Sequence, residues 1–144
     1  MYGAGIRGLP VAHFGFPGPL RDRLVAAVLS GEKTATSSLL LEYELDPGEK
    51  FPEVGSRSVV IDSDKNSVCV IETTEVRILP LQEVDEQFAR DEGEGFRSVA
   101  EWRAAHEAFW QSTEMRAALG RPEFTVDDET LIVAERFRVL ERLA

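Results

Sequence analysis

Leu20, Leu24, Val25, Val28 and Leu29 recur at helical spacing and make one apolar stripe. Pro19 stands just before them, where a first helical turn loses nothing by a missing N–H, and Gly31 follows as a left-handed stop. The pattern predicts a helix over Pro19–Ser30. Ahead of it, Gly3, Gly5, Gly8, Pro10, Gly15, Pro17 and Gly18 punctuate the chain, and residues 1–13 read as an extended lead-in.

Beyond the helix the period changes. Thr34–Leu41 is β-branched or apolar enough for a strand, and the acidic stretch 42–53 turns at Pro47-Gly48. Arg57–Asp62 and Ser67–Thr74 are β-rich runs on either side of Ser63-Asp64-Lys65-Asn66, the arrangement of an antiparallel hairpin. Val76–Leu79 extends the second strand past a bulge until Pro80 ends it. Leu81–Ala89 reads as a short helix, and 91–95 as an acidic, glycine-punctuated loop. Ser98 and Glu101 hold capping-box spacing ahead of Trp102, Ala105, His106 and Phe109, which repeat with helical period. Thr113–Leu119, stopped by Gly120, is a further helix, and Thr130–Leu140 a closing strand. Helix, strands, helices and strand in that order predict an α+β fold. Short strands with non-local pairing suggest a small barrel or a strongly curved sheet.

The chain has 144 residues, 43% hydrophobic and 29% charged, which suits one folded domain over 1–144. Its single cysteine, Cys69, lies in an apolar run and is expected to be buried and inert, as a reducing cytoplasm allows. The N-terminus lacks the apolar stretch of a signal peptide, and no run approaches the ~18 apolar residues that a membrane span needs. The net charge is −10, unevenly spread: +2 over residues 1–41, −10 over 42–96 and −2 over 97–144. Strong binding of duplex DNA is therefore not expected, because phosphate neutralisation needs a basic face. A single nucleotide in a cleft remains compatible with this balance.

Several chemistries lack their residues. There is no phosphate-binding GxxxxGK[ST] loop, and two histidines with one cysteine do not make a standard zinc site, so neither cofactor nor metal is expected. The informative stretch is Gly31-Glu32-Lys33-Thr34-Ala35-Thr36. Structurally, Gly31 caps the helix, Lys33 complements its dipole and the threonines open a strand. Functionally, Lys33 and Thr36 are candidates to share one cleft, where a lysine activates a hydroxyl nucleophile or holds an anion. In Asp91-Glu92-Gly93-Glu94-Gly95, glycines on both sides of Glu94 permit a tight turn that aims a carboxylate inward as general acid/base beside Lys33. Most of these acids otherwise read as a solvated loop. Trp102 and Phe109 read as core, whereas Trp110 falls off their stripe and is expected to be exposed for stacking on a base. The Tyr43 hydroxyl is expected to line the same cleft, and His106 to be a satisfied, half-buried histidine.

Together GEKTAT, ETTEV and DEGEG followed by a serine, a tryptophan and a histidine, with the closing ERFRVL, resemble the ASCH domain family from Phe14 to Leu140. The resemblance implies a PUA-like small β-barrel with flanking helices and a cleft lined by the Lys-Thr segment. It implies RNA or a modified nucleoside as partner, since family members are proposed to bind RNA and some are ribonucleases. A smaller relative is an amidohydrolase of N4-acetylcytidine that uses a lysine, a threonine and a glutamate. Its lysine and threonine match Lys33 and Thr36, and its glutamate falls at Glu94 first or Glu92 second. The longer loop and the added acidic segment 42–53 depart from that relative. By this reading Lys33, Thr36 and Glu94 are catalytic, with Lys33 deprotonating Thr36, while Tyr43, Glu92 and Trp110 bind substrate. The alternative is a non-catalytic RNA- or nucleotide-binding module.

Overall fold

In a computed structural model that describes residues 8–143, the chain forms five strands and five α-helices, a mixed α+β fold. Strand β1 is Val11–Ala12, β2 Ala35–Leu39, β3 Arg57–Ile61, β4 Ser67–Pro80 and β5 Leu131–Arg142. The helices are α1 (Pro19–Ser30), α2 (Leu40–Leu45), α3 (Glu86–Asp91), α4 (Val99–Trp110) and α5 (Thr113–Leu119). The strands pair in the order β1-β3-β4-β5-β2, with β1 parallel to β3 and every other pair antiparallel. Among the described residues β1 and β2 are edges that do not pair with each other, so the sheet is open where a closed barrel was expected.

Long β4 and β5 carry the architecture. Their ladder slips between Val70 and Ile71 and again between Thr73 and Glu75, the bulge expected before Val76. Alternation along β5 sends Ile132 and Ala134 into an apolar cluster with Phe88, Trp102, Trp110 and Met115 of α3–α5. Phe137 joins a second cluster, with Phe14, Val25 and Val28 of the α1 side and with Val60, Cys69 and Ile71. Cys69 is fully buried, and burial pushes its thiol up to about 11 against the opposing charge of Arg142, so it stays protonated.

Helix α1 has the expected bounds, closed by Gly31 at φ 87°. The lead-in expectation falls partly on 1–7, outside the described residues; of the remainder, Val11–Ala12 is strand β1. Three elements differ from expectation. The strand after Thr34 stops at Leu39, and Leu40–Leu45 turns into α2, because the Glu42 carboxylate folds back to accept from Leu39 N at 2.8 Å. The segment expected as one helix over Leu81–Ala89 divides into a 3₁₀ turn at Leu81–Glu83 and α3, since the Asp85 carboxylate caps Phe88 N at 2.8 Å. Helix α3 then runs through Asp91, so the glycine-rich loop begins only at Glu92. At α4, Ser98 caps Glu101 N as expected, but the Glu101 carboxylate returns to Arg97 N, one residue earlier than a capping box.

That loop docks directly on the chain leaving α1. Thr34 N donates to Asp91 O at 2.9 Å, and Arg136 of β5 clamps Asp91 at 2.6 Å while lying over the Phe88 ring. Gly93 makes the approach possible: its φ is 70°, and a Cβ there would lie 2.5 Å from Glu32 O and 2.6 Å from Lys33 Cα. Gly95 shares the backbone conformation, at φ 86°, but faces open space. Gly93→Ala should therefore lose about 3 kcal/mol or more from strain plus backbone clash, and Gly95→Ala only about 1–2 kcal/mol from strain alone. Urea midpoints of the two variants check this; equal losses would contradict the docking.

Candidate functional site

Lys33 follows α1 directly, and its backbone N donates to Ala27 O at 3.0 Å, so the helix exit turns the side chain inward. It is only 2% exposed. The ammonium donates to Ala35 O at 2.8 Å, Glu92 O at 3.2 Å and Glu92 Oε1 at 3.4 Å, with Glu94 Oε2 at 3.8 Å. The Phe14 ring lies beneath it, 5.7 Å to the centroid. Its protons therefore all face acceptors, which makes Lys33 a donor and a fixed positive charge here.

Glu92 is the hub. It is 1% exposed, and its Oε2 accepts from Ser37 Oγ at 2.6 Å and from Trp102 Nε1 at 2.8 Å. Oε1 faces Lys33 and, at 3.3 Å, His106 Nε2. Burial alone would raise this carboxyl; the Lys33 ammonium, then His106 and the Ser37 hydroxyl, outweigh it and bring the pKa down to about 2. His106 places Nδ1 2.9 Å from Trp102 O and Nε2 3.3 Å from the carboxylate, so both ring nitrogens face acceptors, an arrangement that favours the protonated ring. Burial is the largest single influence and lowers the His106 pKa, but the Glu92 hydrogen bond and charge, the Trp102 carbonyl and the Glu94 charge together raise it.

Glu94 is the accessible partner. Its side chain is 15% exposed, and burial raises its pKa against the attraction of Lys33, helped by repulsion from Glu92. Two glutamates beside one ammonium are thus driven to opposite sides of the ordinary carboxyl range.

These groups line a cleft of about 1190 Å³ that wraps around the free edge of β2. Alternation along β2 divides it. Ala35, Ser37 and Leu39 face the α3–α5 side, which brings Ser37 to Glu92. Thr36 and Ser38 face the other way. Thr36 stands opposite Glu135, whose carboxylate accepts from Thr73 Oγ1 at 2.7 Å, and Ser38 Oγ lies 3.3 Å from the Tyr43 hydroxyl. Burial raises the pKa of Glu135 and Glu42 here and pushes Tyr43 up to about 12. Tyr43 lies in α2, edge-on to Phe51 with centroids 5.2 Å apart.

Lys33, Glu92 and Glu94 thus meet, whereas the Thr36 hydroxyl, although in the cleft wall, bonds to none of them among the described residues. Trp110 departs from expectation: it is 2% exposed and packs edge-on against Trp102 and His106. The α4 stripe is wide enough to bury it because α5 covers the helix from outside, with Met115 in the same cluster. Ser37 escaped the sequence reading. The Trp102–His106 spacing of one helical turn was the available sign that both side chains, stacked at 4.3 Å, serve one acid. Glu92, Glu94 and His106 offer ligand atoms within 4.8 Å of one another, as a metal would need. Lys33 already supplies the positive charge between the two carboxylates, so no metal is assigned.

The lowered Glu92 pKa fixes a sign. Its stabilisation is fully present above the ordinary value of 4.5 and is lost as pH falls through the folded value of about 2. The loss should be on the order of 3 kcal/mol, from ~1.4 kcal/mol per pH unit. Urea unfolding at stepped pH should show this slope in the wild type and not in Glu92→Gln, which starts less stable by roughly 3–5 kcal/mol because Lys33 is left unpaired. The same acid slope in both proteins would contradict the assignment.

The family model for the ASCH domain matches residues 11–141. No functionally curated protein matches the chain. Among solved structures, the chain is similar to an Enterococcus faecalis V583 protein of the DUF984 family, at 30% identity and a TM-score of 0.78, over 92% of this chain and 76% of that one. It is also similar to an ASCH domain from Lactobacillus crispatus JV V101, at 33% identity and a TM-score of 0.76, over 91% of this chain and 79% of that one. Matched over nearly its whole length by the model and by both structures, the chain belongs to the ASCH domain family.

Proposed function

We propose that this protein is a hydrolase acting on a modified nucleoside, free or within RNA, with Glu94 as its proton carrier. The observation that carries the reading is the divergence of Glu92 and Glu94 around Lys33. One carboxylate is locked in the ionised state and buried, and its neighbour is raised and reachable from the cleft. Carboxyls driven apart in this way are the usual mark of an acid/base pair.

In the amidase form, a water in the cleft attacks the acyl carbonyl while the Glu94 carboxylate takes one of its protons. The same proton then passes to the departing amine as the C–N bond breaks, leaving the free carboxylic acid. Thr36, the nucleophile that the sequence suggests, faces the opposite side of β2 and lines the substrate half of the cleft. Lys33 was expected from the sequence to deprotonate Thr36. Its contacts to Ala35 O and to Glu92 O and Oε1 favour a fixed ammonium that orients Glu92 and Glu94 instead. A non-catalytic binding module uses the same cleft, and the near-complete burial of Lys33 and Glu92 favours that second reading.

Purified protein with N4-acetylcytidine, and separately with short single-stranded RNA, tests the choice. Glu94→Gln should lower kcat/KM by about 10²–10⁴-fold without lowering the urea midpoint. In the wild type, kcat/KM should rise with pH through a pKa above the ordinary glutamate value, a limb that Glu94→Gln removes. Thr36→Ala should raise KM with little change in kcat, and Thr36→Ser should restore KM. Saturable binding without turnover would assign the module instead.

A further inference from the structure

We propose that Arg21 of α1 forms an oxyanion subsite in the wall of the cleft, suited to the phosphate of a nucleotide. The inference deepens the preceding reading, on which it rests for the nucleoside part of the ligand; the anion site itself stands on its own geometry. Arg21 is 3% exposed and lines the same cleft as Lys33 and Glu94. Its Nη2 donates to Gly15 O at 2.8 Å, while buried Nε and Nη1 have no hydrogen-bond partner among the described residues. A guanidinium cannot shed its charge, and a buried charge without matching acceptors is among the costliest arrangements in a fold. Every other buried charged side chain among the described residues is paired: Lys33 and Glu92 hold each other.

Among the described residues, the neighbouring acids do not supply the missing acceptor. Asp62 feels the Arg21 charge, but its Oδ1 accepts from Asp64 N and Asn66 N at 2.9 and 2.8 Å, and its Oδ2 from Asn66 Nδ2 at 3.2 Å. Asp22 is held by Ser63 Oγ at 2.6 Å. Burial first, and then the Arg21 charge, lower the His13 pKa. The guanidinium thus brings two unmatched N–H-bearing nitrogens to the wall of the cleft. An oxyanion there accepts from guanidinium N–H pairs in the plane that arginine favours. The cleft carboxyls Glu42, Glu49 and Glu135, on α2, the loop after it and β5, are all raised toward their neutral forms by burial.

The test uses the whole chain and three probes: inorganic phosphate, cytidine and cytidine monophosphate. The Arg21 side-chain Nε–H resonance is followed by NMR, and affinities by calorimetry at two salt concentrations. Phosphate and cytidine monophosphate should each move the Nε–H resonance saturably, and cytidine should not. Arg21→Gln should weaken cytidine monophosphate by about 10- to 100-fold, to the level of cytidine, and added salt should weaken the wild type more than the variant. An Nε–H resonance unmoved by both anions, or an Arg21→Gln affinity equal to wild type, overturns the proposal. Should the variant fail to fold, the wild-type resonance decides alone. None of these readouts needs turnover, so an inactive but anion-binding protein would sink the hydrolase reading and leave this one standing.

Discussion

A lysine ammonium buried to 2% exposure is the constraint around which this fold is arranged. Such a charge is tolerated only with close acceptors, and these come from two separate parts of the chain: the Ala35 carbonyl at the start of β2, and the Glu92 carbonyl and carboxylate beyond α3. Trp102 and His106 of α4 and Ser37 of β2 complete the shell around that carboxylate. Removing any of these leaves a buried polar group short of a partner, so the network ties α1, β2, α3 and α4 together as one unit. Gly93 is its steric counterpart, since only a residue without a Cβ lets the glutamate loop reach the lysine backbone.

The elements that local pattern governs were legible in the sequence. Helices α1 and α5, the β3–β4 hairpin and β5 were legible because caps, glycine stops and β-branched runs agree with their tertiary setting. Helix α2 was not, because it depends on Glu42 bending back to one backbone N–H, which no periodicity records. Closure of a barrel was likewise unreadable: it depends on whether two edge strands, β1 and β2, meet across the sheet. At the site, Lys33 and both glutamates were visible as a pair of glycine-bounded motifs. Their division of labour was not, because burial separates Glu92 from Glu94 and the sequence gives both glycine neighbours. Trp110 was misjudged for a similar reason, since helical spacing tells which face a side chain is on but not that α5 covers it.

The cleft consequently has two chemical halves on the two faces of β2. On the α3–α5 face lie the ammonium, the imidazole and the glutamates, largely satisfied by one another. On the opposite face lie Thr36, Ser38, Tyr43 and Glu135, hydroxyls and carboxyls that burial holds toward their neutral forms. A ligand spanning the β2 edge meets a fixed charge on one side and neutral hydrogen-bonding groups on the other.

The account stands or falls on whether adjacent glutamates ionise far apart. Carboxyl carbon NMR of Glu92 and Glu94 in the folded wild-type protein, followed across acid pH, measures this directly. Glu92 should remain ionised far below 4.5 while Glu94 takes up its proton above that value. Two carboxyls protonating together near the ordinary glutamate value would contradict it.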